Sequence, residues 1–261
     1  MSFAAHPVAD PAAPLARRNP VAKLGAALLF SLPLVATLDP LTPALALLVE
    51  LVLLPLFGLH YAALARRAWP LLLASGGVLV TMVLFATDRS GNLVVALGPL
   101  DVTTGVLSAA LGLVLRLFAI ALPGVIVFAT TDPTDLADAL VQNAKAPARF
   151  AIGALAAFRL LPLLGAEWQM LTLARRARGL NAGLRQFPAT AFALLVGALR
   201  RGGRLAVAMD ARGFDSGLPR TYARKQNFVR ADTLLMVGAA ALAAGCLAVT
   251  VLTGLFRPII G

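Results

Sequence analysis

Two arginines in matched settings are the groups best placed to do recognition chemistry in this chain. Ala177-Arg178-Gly179 ends one basic amphipathic segment, and Ala211-Arg212-Gly213 ends the next, 34 residues later. Leu171 matches Leu205 and Ala174 matches Ala208 in the same register. One copy alone is ordinary helix-end chemistry: glycine after a helix accepts a left-handed backbone, and arginine in the last turn suits the dipole. Two copies say more. In each, small alanines sit three apart (Ala174/Ala177 and Ala208/Ala211) and leave a smooth face beside the arginine. Such a face permits close approach, and a guanidinium fork beyond it can pair bidentately with a carboxylate. Two equivalent ends suit a partner that is a dimer of similar subunits.

Three further charges lie in apolar surroundings. Glu50 falls within one apolar run, Arg116 near the middle of another, and Arg159 in Phe158-Arg159-Leu160-Leu161-Pro162. A lone charge inside a membrane is costly and must find a partner. One expectation is a Glu50–Arg116 pair; the alternative is that each meets a backbone carbonyl or another subunit. Arg159, with Pro162 one turn on, is read as an interfacial residue or a partner-subunit contact.

The chain lacks the usual catalytic sets. Its three lysines, Lys23, Lys145 and Lys225, all lie outside any Gly-x4-Gly-Lys-Ser/Thr loop, so nucleotide binding of the P-loop type is excluded. His6 and His60 are far apart and Cys246 is the one cysteine, which leaves no donor set for a metal. No Gly-x-Gly-x-x-Gly, His-Glu-x-x-His or Ser/His/Asp arrangement occurs.

The elements that must carry these residues follow from composition. Hydrophobic residues make up 59% of 261 positions and charged ones 13%, the profile of an all-α polytopic membrane protein. Spans are expected at 24–38, 41–59, 70–87, 105–129 and 231–254, with Lys23 snorkelling beside the first. The formal charge is +11, and positions 145–230 alone hold fifteen Lys/Arg against three Asp/Glu. The positive-inside rule then places the N-terminus and the basic region in the cytoplasm. The division is a flexible tail over 1–23, four spans over 24–129, the basic region over 130–230, and a last span with the C-terminal end over 231–261. Asp132-Pro133-Thr134-Asp135 reads as a capped helix start. The stretches 150–170 and 187–199 are apolar enough to suggest spans, but are read as long helices at the interface or against another subunit.

At this point the sequence resembles the transmembrane (T) component of energy-coupling factor transporters, the vitamin and metal uptake relatives of ABC importers. The resemblance runs along nearly the whole chain after the tail. It rests on Asn19-Pro20-Val21-Ala22-Lys23-Leu24, Leu115-Arg116-Leu117, Thr130-Thr131-Asp132-Pro133-Thr134-Asp135-Leu136, Phe158-Arg159-Leu160-Leu161-Pro162 and the two Ala-Arg-Gly ends. It implies five spans with three coupling helices near 133–144, 148–178 and 186–212. It also implies a non-catalytic subunit in the cytoplasmic membrane of a bacterium or archaeon. Arg178 and Arg212 would each enter a groove of one of two ATP-binding cassette subunits, which carry the ATP and magnesium. A small substrate-binding membrane subunit would complete the assembly, and the chain itself would hold no cofactor. Behind this reading stand a self-contained secondary transporter or channel using Glu50 and Arg116, and a membrane-anchored nucleic-acid or lipid binder using 145–230. The detectable repeat lies in the basic region rather than in the spans, and that region has few aromatics for base stacking.

Overall fold

Asn19 starts the first helix by accepting a 3.0 Å hydrogen bond from the Val21 N–H, and Pro20 occupies the first helical position. The computed structural model describes residues 10, 12–37, 39–86, 92–97, 100–180, 187–214, 216 and 221–254. In chain order these form α1 (Pro20–Leu34), α2 (Leu41–Leu53) with a 3-10 turn over Leu54–Phe57, and α3 (Tyr61–Phe85). An antiparallel hairpin of β1 (Leu93–Leu97) and β2 (Leu100–Thr103) precedes α4 (Thr104–Thr130). Then come α5 (Pro133–Gln142), α6 (Ala148–Ala177), α7 (Phe187–Ala211) and α8 (Arg230–Leu252). Apart from the hairpin the described chain is helical, as the composition requires.

The chain divides into two compact units, one holding α1–α4 and α8, the other running from 137 to 225 with α6 and α7. In the first unit, Phe30, Leu34, Ala46, Ala119 and Ala243 form the packed centre of α1, α2, α4 and α8. Alanine at the crossings lets apolar helices approach closely where lipid supplies no hydrophobic drive. Gly25 extends this logic: a Cβ there would stand 2.6 Å from Met236 Cε on α8. A second cluster, including Leu54, Leu64, Leu122 and Ile126, joins the 3-10 turn, α3 and α4. Outward, α3 exposes Trp69, Leu72, Leu73, Val80 and Phe85, a surface suited to lipid.

Helices α3, α4, α6 and α8 are each long and apolar enough to cross a membrane, and α1 and α2 are shorter apolar helices. The expected spans correspond to α1–α4 and α8, with informative shifts. The first begins four residues early because of the Asn19 cap. The third begins at Tyr61 rather than 70: Pro70 lies inside α3, and the chain break is instead Gly58, at φ +68°. The tail expected to be flexible is tied down at its inner end, where the Asp10 N–H donates to the Gly58 carbonyl and the Leu15 N–H to that of Leu56.

In the second unit, α6 buries none of its residues and α7 buries only Thr190. Phe150, Phe158, Leu161, Met170, Phe192, Leu195 and Val207 are all exposed. Apolar helices without cover inside their own chain call for lipid or a partner.

Candidate docking site at two helix ends

The two Ala-Arg-Gly segments fold alike, down to each backbone hydrogen bond. At the end of α6 the Gly179 N–H donates to the Arg176 carbonyl at 3.0 Å and the Leu180 N–H to that of Arg175 at 3.1 Å. At the end of α7 the Gly213 N–H donates to Asp210 at 2.9 Å and the Phe214 N–H to Met209 at 3.1 Å. This is the Schellman pattern twice over, with an apolar residue following each glycine. Gly179 and Gly213 both sit at φ +73°, a conformation that strains any residue with a Cβ. Each glycine thus stops its helix and leaves an arginine as the last residue before the turn. Arg178 and Arg212 are exposed. Among the described residues neither guanidinium makes a hydrogen bond or an ion pair within the chain. Ala177 and Ala211 are exposed beside them, so the smooth face expected from the sequence is present at both ends. Arg159 and Pro162 lie exposed in the middle of α6; Arg159 has an interaction within the chain.

The expected Glu50–Arg116 pair does not form. The Arg116 guanidinium donates through Nη2 to the carbonyl of Val35, the residue that ends α1. The reason is length. At about 1.5 Å per residue, the 15 residues of α1 end partway through the bundle. Their last carbonyls then face the middle of α4, where a cation offsets the negative end of the helix. Glu50 is 7% exposed, and neither carboxyl oxygen has a partner among the described residues. It faces a cavity of about 260 Å³ lined mainly by apolar side chains, including Ala26, Phe30, Leu53, Ile126 and Leu242.

Sequence reasoning missed a polar knot that joins three helix ends of the first unit. Lys23, expected to snorkel, is 3% exposed instead. Its ammonium donates to the carbonyls of Thr130 at 2.9 Å and Ala16 at 3.0 Å, and so caps the end of α4. Asp232 is 1% exposed and accepts from the Asn19 N–H at 3.1 Å and the Val229 N–H at 2.9 Å, linking the starts of α1 and α8. Asn19 also donates through Nδ2 to Asn227 at 3.3 Å. Asp132 caps α5 as expected, accepting from the Thr134 N–H at 2.7 Å. The signal was present in Asn19-Pro20, which entered only through the resemblance, and in Asp232, two residues into an apolar run and not singled out.

Comparison with known proteins agrees with this architecture. The family described as "Cobalt transport protein", CbiQ, matches residues 12–223. A relative named "Energy-coupling factor transporter transmembrane protein EcfT", from Limosilactobacillus fermentum, is 30% identical over 181 residues. That match covers 64% of this chain and 67% of the relative. A protein of the same name from Streptococcus equi is 25% identical, over 77% of this chain and 86% of its own. A "Putative ABC transporter ATP-binding protein" from Bifidobacterium longum is 26% identical over 84% of this chain, which spans 30% of that relative. The chain therefore belongs to the CbiQ/EcfT family, the non-catalytic, multi-pass transmembrane component of energy-coupling factor transporters.

Proposed function

We propose that this chain couples a pair of ATPase subunits to a separate substrate-binding membrane subunit for uptake of a vitamin or a transition-metal ion. Arg178 and Arg212 are the contacts to the ATPases, one per subunit. ATP binding draws the two subunits together and moves both helix ends. The uncovered apolar surfaces of α6 and α7 receive that movement and pass it to the substrate-binding subunit. The N-terminus and the region from 130 to 230 lie on the cytoplasmic side, where ATP and magnesium are held by the partners.

The observation that carries this reading is the duplicate Schellman end with an exposed, unpaired arginine in each copy. A structural role would consume at least one of the guanidinium groups inside the chain; neither is consumed. The names of the relatives agree, as one refers to an ATP-binding protein and others to energy coupling. The midplane reading of a secondary transporter loses its basis, because Glu50 and Arg116 do not meet. The test is the double charge reversal Arg178→Glu/Arg212→Glu. It should leave the chain in the membrane and lower ATP-driven uptake at least tenfold; uptake at the parent rate would refute the docking role.

A further inference from the structure

We propose that Glu167, Gly197 and Arg201 hold the crossing point of α6 and α7, and that this crossing sets the separation of Arg178 and Arg212. The proposal rests on the docking reading above.

The Arg201 Nη2 donates to Glu167 Oε2 at 2.9 Å in a salt bridge. The two residues are 34 apart. That is also the offset between the two Ala-Arg-Gly copies, so the bridge joins equivalent positions of the repeat. Eleven residues separate Glu167 from Arg178, and eleven separate Arg201 from Arg212. Each helix therefore extends by the same arm, about 16 Å, from the crossing to its arginine. With arms of that length, a 10° change in crossing angle moves the two ends by about 3 Å relative to each other.

Gly197 lies one turn before Arg201 on the same side of α7. A Cβ at 197 would stand 2.8 Å from Glu167 Oε1. With glycine there the carboxylate lies against α7 and reaches Arg201; an alanine would push it aside. Burial contributes little here: α6 has no buried residue and α7 has one. The Trp168 and Phe187 rings, 5.4 Å apart, add an aromatic contact near the start of α7. Glu167, Gly197 and Arg201 are positioning residues: they act on the partner only through the two helix ends.

Spin labels at Leu173→Cys and Val207→Cys read the geometry directly. Both sites are exposed, at 57% and 70%, and both stand five residues before their arginine. The full chain is labelled in a Cys246→Ala background and measured by pulsed electron resonance in detergent. The parent should give one narrow distance distribution. Gly197→Ala and Glu167→Gln should shift its mean by about 1.5 Å or double its width, and the exchange Glu167→Arg/Arg201→Glu should restore most of it. Gly203→Ala, on the same helix with open space around it, should change nothing. In cells Gly197→Ala should reduce uptake about tenfold while ATPase subunits still co-purify.

Unchanged distances in Gly197→Ala and Glu167→Gln would overturn the crossing point, as would an equal shift in Gly203→Ala. A shift with normal uptake would overturn its positioning role. Because the distances are read on the chain without partners, they stand or fall separately from the docking reading. That reading fails only through Arg178 and Arg212.

Discussion

A glycine at φ +73° after each arginine is the residue-scale fact on which the proposed recognition turns. Replacing Gly179 and Gly213 by alanine together should cost about 1 kcal/mol or more at each end and redirect both arginines. Circular dichroism should show little change in helix content while recovery of ATPase subunits falls severalfold; full recovery would mean that the turn geometry does not matter. Glu50 allows a prediction of opposite sign. A buried carboxyl without a partner is a liability that an apolar side chain removes. Glu50→Leu should therefore raise the melting temperature in detergent, by an amount corresponding to about 1 kcal/mol or more. A lowered melting temperature would show that Glu50 has a stabilising partner in the folded protein. Glu50→Gln and Arg116→Gln should be additive, because the two groups do not touch.

Helices join through their ends, and at the scale of the element the polar knot of Asn19, Lys23, Thr130 and Asp232 is the clearest case. Asp232→Ala would strand the Asn19 and Val229 N–H groups in a buried setting. The expected loss is about 2–3 kcal/mol, read as a lowered unfolding midpoint; a loss below about 0.5 kcal/mol would show that water replaces the carboxylate. The helices themselves were legible in the sequence. Observed α5, α6 and α7 span 133–142, 148–177 and 187–211, against the 133–144, 148–178 and 186–212 implied by the resemblance. Caps and glycines carry that information locally. Contacts between distant segments left no such trace. The Lys23–Thr130 bond crosses 107 residues and the Asn19–Asp232 bond 213. Nothing in local spacing says which carbonyl a buried lysine will reach. Arg116 meets a backbone carbonyl, the stated alternative to a Glu50 pair; which carbonyl it meets depends on where α1 ends, and Pro20 moved that helix four residues toward the N-terminus. The hairpin went unseen because Leu93–Leu97 was absorbed into an expected loop, although its Val-Val pair favours a strand.

Over the whole molecule, the two compact units carry different kinds of surface. The bundle of α1–α4 and α8 ties several polar groups together at its own helix ends, leaves Glu50 buried without a partner, and turns apolar residues outward. The unit with α6 and α7 keeps almost nothing buried and presents two unpaired arginines in matched turns. One unit is a packed membrane bundle, and the other leaves apolar faces that call for lipid or a partner. The most direct measurement is a side-by-side purification of the tagged chain and its Arg178→Glu/Arg212→Glu variant from mild-detergent membrane extracts, with bound proteins identified by mass spectrometry. The parent should bring down ATP-binding cassette subunits and a small membrane protein, and the variant should lose the ATPases while reaching the membrane at the parent level. Equal recovery of the ATPases by both chains would contradict the central claim.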